Sequence, residues 1–385
     1  MARQTYARMS LYYFFFYTTI AVFAPYFNLY LASRGLSSEQ VGMVLAVIPL
    51  GGILMQPLWG MMNDRLQIQK TTIFLALVVP AITLLLYPHL HSFPVYVLGT
   101  AVLAVFQSVA VPVADSMTIE TAGTGHYGKI RLFGSLGYAI AAAIAAALYK
   151  HYGVSEISVV YGFTVVLALF GLIFYPKPAK MHSGHQRPAL FSGMIVLLSN
   201  KKFLLILCFT LLITISQAVN SNFFTLYYHA LGRPMGWLGI IYALGALSEL
   251  PFFFIIGRFI GKYGAERIFL LGGAIFLLRW IVLCFEPPTW VIVMMQLSHG
   301  LSFTLTFTAG VSMAAQASAR DNQVTAQTVY NSVNMGLSAI IGSLIGGVVL
   351  NQFGPRGLYG FAAAICVLGL IAMFGLIRST SARSD

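Results

Sequence analysis

Stretches of about 20 mostly apolar residues, the length that crosses a bilayer as a helix, recur along the whole chain between short polar or basic segments. The pattern predicts about twelve helices, at 10–33, 40–62, 70–88, 93–119, 128–149, 157–176, 202–229, 236–260, 266–285, 289–315, 322–350 and 356–377. The runs are continuous and do not alternate every second residue, so helices are expected and a β-barrel is not. The opening, MARQTYARMSLYYFFFYTTIAVF, has the basic start of a signal peptide. Its apolar run continues through FAPYFNLYLA without a small-x-small cleavage site, which makes it a retained first span.

Composition strengthens this reading. Charged residues make up 8% of the chain and hydrophobic ones 58%, whereas a soluble chain is about 25% charged. So few charges cannot cover a soluble surface, and a membrane-embedded protein follows. The net charge of +12 would point to nucleic acid in a soluble protein. Here the basic residues stand in short loops, and no nucleic-acid partner is expected. Arg3, Arg8, Arg65, Lys70, Lys129, Lys201, Lys202, Arg258 and Lys262 are among those on one side, against Arg34, Lys150, Arg233 and Arg356 on the other. The inside-positive bias places both termini in the cytoplasm of a multi-pass inner-membrane protein. Cys208, Cys284 and Cys366 all lie in apolar runs and read as packing residues.

One segment, PKPAKMHSGHQRPALFSGMIVLLSNKK, is basic, proline-bearing and polar at its start. It divides the chain into a first bundle at 1–176, a cytoplasmic linker at 177–201 with a short interfacial helix near 189–198, and a second bundle at 202–385. The halves repeat weakly. At a constant offset Gly35 meets Gly232, Gly42 meets Gly239, Gly60 meets Gly257 and Arg65 meets Lys262. The expected fold is an all-α membrane protein of twelve transmembrane helices in two pseudo-symmetric six-helix bundles, with a solute site between them near the midplane.

The polar residues within the spans are few enough to weigh one by one. Asp115, three residues after Pro112, is too costly to bury alone, and Arg131 on the next helix is an available partner. The two either lock their helices together or grip a solute. Glu249, two residues before Pro251, is a candidate proton carrier. Alternatively it is satisfied by backbone that Pro251 leaves open, or by Arg279. Arg279 has about a dozen mostly apolar residues before it in its span, too many for snorkelling to the rim. His299 shares a helical face with Gln296, Phe303 and Thr306, and can bridge helices, touch solute or relay protons. Span eleven presents Gln327, Tyr330, Asn331 and Asn334 on one face, span seven Gln217, Ser221, Phe224 and Tyr228, and span one Tyr13 and Tyr17 near Thr18. There is no phosphate-binding loop for nucleotide-driven pumping and no metal-ligand spacing, so neither a cofactor nor a metal is expected.

These residues carry a resemblance. QPLWGMMNDRL, with Gly60, Asp64 and Arg65, resembles the loop signature between spans two and three of major facilitator superfamily transporters, although the usual trailing glycine and basic pair have become Gln67-Ile68-Gln69-Lys70. PVADSM, YGKIRLFGS, GALSELP, LLRW, QLSHG and AQTVYNSVNMG are similar to segments of the phenylpropionate permease-like branch, and more distantly of the lactose permease family. By that resemblance Asp115 and Arg131 hold the solute, Tyr138 takes the place of a sugar-stacking tryptophan, and Arg279 and His299 match an arginine and a histidine of the second half. The family's proton-carrying glutamate is Ser302 here, its lysine before the histidine is Gln296, and its glutamate of span eight is Ala246. Glu249 one turn on is therefore the expected carrier. Span five, GSLGYAIAAAIAAAL, lacks the glycine-proline signature of drug/proton antiporters.

The resulting expectation is a monomeric secondary transporter, not an enzyme, which moves a small organic solute with protons by alternating access. Asp115, Arg131, Tyr138, Gln296, His299, Tyr330, Asn331 and Asn334 would contact solute, and Glu249, Arg279 and His299 would handle the proton. An organic or aromatic acid is favoured over a sugar or nucleoside. An exporter or facilitator without proton coupling, or a sensor that does not transport, are the alternatives.

Overall fold

The computed structural model describes residues 2–176, 197–319 and 322–381. Most of the expected linker, residues 177–196, lies outside the described residues, and so does most of the interfacial helix expected near 189–198. Among the described residues every regular element is helical. The chain divides into two compact units, Met1–Gly184 with Tyr228–Leu247, and His185–Tyr227 with Ser248–Asp385.

The first unit contains α1 (Ala2–Phe23), α2 (Phe27–Ser33), α3 (Ser38–Leu66), α4 (Gln69–Leu86), α5 (Phe93–Ala122), α6 (Thr124–Tyr152) and α7 (Ile157–Phe174). The first expected span, 10–33, starts earlier than its apolar run and is broken at the turn containing Pro25. A capping box starts α3: Ser37 Oγ accepts from the Gln40 amide, and Gln40 Oε1 accepts from the Ser37 amide. Gln67, in the left-handed region at φ 53°, ends it. α1 lies against both α6 and α7. Gly137 makes the α6 approach possible, because a Cβ there would stand 2.2 Å from the Phe14 carbonyl oxygen. On α7, Val159, Phe163, Val166, Phe170 and Ile173 are all exposed. At spacings of three and four they form one outward apolar stripe, the surface that lipid covers and water does not.

The remaining helices are α8 (Lys201–Ala230), α9 (Trp237–Tyr263), α10 (Ala265–Cys284), α11 (Thr289–Gln316), α12 (Gln323–Asn331) and α13 (Ser338–Ser381). Among the described residues eleven helical stretches are long and apolar enough to cross a membrane, and the last of them, Thr325–Gly375, runs for 51 residues. It holds two spans: Gly354 leaves helical geometry at φ 67°, ψ −167°, and Pro355 follows. The twelve expected runs are thereby accounted for. Span eleven differs from its expectation of one continuous helix. Ser332–Leu337 is a π-turn, in which the Ser338 amide reaches back five residues to the Val333 carbonyl.

Candidate functional site

In the first unit the polar cluster is assembled by α1, α5 and α6. Pro112 has no amide hydrogen, so within α5 the Ser108 carbonyl loses its helical partner. The Gln56 side chain of α3 takes that carbonyl at 3.1 Å. One turn beyond the proline, Asp115 Oδ1 accepts a 2.6 Å hydrogen bond from the Tyr13 hydroxyl. Thr118 donates to the same hydroxyl at 3.1 Å and lies 2.5 Å from the Tyr175 hydroxyl. Lys70, just after the loop motif, donates to the Tyr175 carbonyl. Asp115 is thus held in a chain of hydroxyls that ends against the α3–α4 turn.

Arg131 takes a different place from the one its charge implies. Its guanidinium lies 4.0 Å above the Tyr17 ring and 5.9 Å from the Tyr13 ring centre. Tyr13 and Tyr17, one helical turn apart, have rings inclined by only 11°. Gly134 leaves room for this plate, since a Cβ there would meet the Tyr17 ring at 2.7 Å. Among the described ion pairs none joins Arg131 to Asp115. Tyr127 neighbours both of them. Neither Tyr127 nor Thr118 was singled out by sequence. The available signals were Thr118 falling one turn after Asp115, and Tyr127 one turn before Arg131. Tyr138 is half-buried near Tyr26.

In the second unit three charged or titratable side chains meet. Arg279 of α10, 1% exposed, places Nη1 3.0 Å from His299 Nδ1 on α11. A guanidinium only donates, so Nδ1 accepts and the imidazole is neutral with its proton on Nε2. That nitrogen lies 3.5 Å from Glu249 Oε1 on α9. The histidine therefore stands between arginine and glutamate, which do not pair directly. Arg279 Nη1 also reaches Ser302 Oγ at 3.4 Å, and its Nε, buried, has no partner.

The backbone makes this meeting possible. A Cβ on Gly300 would lie 2.2 Å from the Ser248 carbonyl carbon. The helices cross so closely that the Gly300 amide donates to Ser248 Oγ at 3.0 Å, while Ser248 Oγ donates to the Gln296 carbonyl at 3.1 Å. Ser248, which sequence reading passed over, thus ties α9 to α11 one residue before Glu249.

The other expected site residues are less gathered. Gln296 is buried one turn before His299. Tyr330 is 1% exposed and packs its hydroxyl on Gly310, while Asn331 is exposed and Asn334, in the π-turn, is half-buried. No described contact joins these three to the Arg279–His299–Glu249 chain. In the loop motif Gly60 has open space around it and Asp64 and Arg65 are exposed. The buried polar residue of that motif is Asn63, which donates to the Trp59 carbonyl at 2.8 Å and accepts from Thr72 Oγ1 at 2.8 Å, tying α3 to α4. Among the described residues no group of His, Cys, Asp and Glu is placed to hold a metal ion.

A many-spanning helical protein with charged side chains held inside its spans fits a membrane transporter. Residues 6–361 match the MFS_1 like family, and the chain belongs to that family of major facilitator transporters. The maltose permease of Geobacillus stearothermophilus is 28% identical over 377 residues, 96% of this chain and 93% of the permease. The probable 3-phenylpropionic acid transporter of Escherichia coli is 23% identical over 385 residues, 97% of this chain and 98% of that one. The crystal structure of the nucleoside transporter NupG superposes with a TM-score of 0.83 at 16% identity, covering 97% and 98% of the two chains. The fold and the family expected from sequence are those observed.

Proposed function

We propose that the protein takes up a small organic solute together with protons, by alternating access of two six-helix halves, 1–176 and 202–385, joined through 177–201. The observation that carries the proton assignment is the Arg279–His299–Glu249 chain, which runs from a buried arginine through the histidine to a part-exposed glutamate. Glu249 is the carrier. It meets a neutral imidazole whose proton faces it, and Arg279 stands on the far side of that imidazole. Asp115 and Arg131 hold the solute from the first half with Tyr138 beside them. Gln296, His299, Tyr330, Asn331 and Asn334 serve the second half, and Gly60, Asp64 and Arg65 serve the conformational change. The protein acts as a monomer in the inner membrane with both termini cytoplasmic, and it is a carrier with no reaction to catalyse.

The solute is a small organic acid. Arg131 supports this reading, since no described ion pair includes it and its guanidinium, beside Tyr17 and Tyr127, has the fork that a carboxylate recognises. A second reading, a sugar, is favoured by Asp115 among the rings of Tyr13, Tyr17 and Tyr127. A carboxylate accepts sugar hydroxyls and tyrosine faces stack on sugar rings. The likeness to a maltose permease supports it as well. Uptake into proteoliposomes under an inward proton gradient, with 3-phenylpropionate and maltose as the two probes, separates the readings. Gradient-driven accumulation of the acid alone supports the first, and of maltose alone the second. Uptake of either probe that is indifferent to the gradient overturns the coupling.

A further inference from the structure

A groove of about 530 Å³ runs between α1 and α6, away from the solute cluster. On α6 it is lined by His126, Lys129, Ile130, Phe133 and Leu136. At 100° per residue these share one side of the helix, and Arg131 with Gly134 and Tyr138 occupies another. Leu11 and Phe14 of α1 complete an almost wholly apolar floor. Only one end is polar. There Tyr6 stacks on His126 with ring centres 4.7 Å apart, and Lys129 is exposed with no ion pair or hydrogen bond among the described contacts.

The dimensions match one kind of occupant. From His126 to Leu136 the groove follows α6 for about 15 Å at roughly 1.5 Å per residue. That is the depth of one leaflet, half of the hydrocarbon core of about 30 Å. A free cation at the mouth and a hydrocarbon-lined floor one leaflet deep complement a molecule with an anionic head and a long apolar tail. We infer that this groove is a binding site for an anionic phospholipid, with an acyl chain along Leu11, Phe14, Ile130 and Phe133 and the phosphate at Lys129 and His126. The lysine supplies Coulombic attraction to the headgroup, and the floor supplies apolar contact along the chain. The site is separate from the Asp115–Arg131 cluster, so lipid binding and solute binding are measurable independently.

The test uses the full chain, purified in detergent and stripped of lipid, with three probes: dioleoyl phosphatidylglycerol, dioleoyl phosphatidylcholine and glycerol phosphate. Bound lipid is counted by native mass spectrometry and stability is followed by Tm. The expected result is retention of phosphatidylglycerol with a raised Tm, and neither effect from the other two probes. Lys129→Glu should weaken phosphatidylglycerol binding roughly fivefold or more, the factor attached to one lysine near a phosphate. Ala7→Trp, which fills the groove without touching its charge, should weaken it as well. Lys129→Gln replaces Lys129→Glu if the latter does not fold. Equal retention of phosphatidylcholine overturns the headgroup assignment. A Tm rise with glycerol phosphate alone overturns the role of the groove, and unchanged lipid binding in both variants overturns the site.

Discussion

Arg279 donates to His299 at 3.0 Å on the Nδ1 side of the ring, which leaves the proton of the imidazole on Nε2, facing Glu249 at 3.5 Å. Replacing Glu249 by Gln keeps the shape and removes the titrating group. The expected outcome is loss of proton-driven accumulation with solute exchange across the membrane preserved, measured as gradient-driven uptake against counterflow in proteoliposomes. Accumulation at the wild-type level in Glu249→Gln would sink the carrier assignment.

The same geometry gives His299 a separate signature. His299→Gln leaves the Arg279 donor and the Glu249 carboxylate without the ring between them. A buried charge that loses its partner costs several kcal/mol, so both accumulation and Tm should fall, unlike in Glu249→Gln. The comparison is read from thermal unfolding of the two variants in the same detergent. Equal Tm values would mean that the imidazole bridges nothing of consequence.

Arg131 calls for a conservative replacement. Its guanidinium spreads flat over Tyr17 at 4.0 Å, a contact worth about 0.5–2 kcal/mol, and its fork is what a carboxylate recognises. Arg131→Lys keeps the charge and loses both features. Uptake efficiency should fall about tenfold, close to 1.4 kcal/mol, with a smaller fall in Tm from the lost contact over Tyr17, because Tyr13 still holds Asp115. Full transport by the lysine variant would assign Arg131 a purely structural role.

Tyr13→Phe tests the opposite partner. It deletes the 2.6 Å hydrogen bond to Asp115 and leaves the ring under Arg131. A hydrogen bond to a charged group contributes about 1.5–3 kcal/mol, so KM for the transported solute should rise at least about tenfold while the maximal rate changes less. An unchanged KM would show that the orientation of Asp115 does not matter to solute binding.

The fold was open to sequence reading because hydrophobic length alone decides it: every long apolar run is a helix, and the Gly354-Pro355 break splits the last one as the loop residues imply. The charged and polar residues within the spans were visible as types, since a charge within an apolar run has few explanations. Their pairing was not. Charge alone matched Asp115 to Arg131, yet what stands around them is three tyrosines: the Tyr13 hydroxyl on the carboxylate, the Tyr17 face on the guanidinium, and Tyr127 beside both. These are short-range contacts set by helix rotation, to which hydropathy is blind. The π-turn at Ser332–Leu337 is hidden for a related reason, because one residue inserted into a helical ladder leaves the apolar composition unchanged.

Gly300 is where helix packing and chemistry meet, and it yields the sharpest structural prediction. Its missing side chain lets α11 touch the α9 backbone at Ser248, and the next residue on α9 is Glu249. Gly300→Val would drive a branched side chain into backbone that has no flexible end to move aside, so the helices must separate. Overpacking of this kind costs about 1–3 kcal/mol, and separation also lengthens the 3.5 Å His299–Glu249 contact. Gly300→Val should lower Tm and abolish proton-driven accumulation together. Ser248→Ala loses only the hydroxyl bonds to the Gly300 amide and the Gln296 carbonyl, and should cost accumulation far less. If Gly300→Val unfolds the protein, Gly300→Ala provides the graded case, with an intermediate Tm and a partial loss of coupling. A Gly300→Ala protein with normal Tm and normal coupling would mean that the close crossing is not what aligns the glutamate with the histidine.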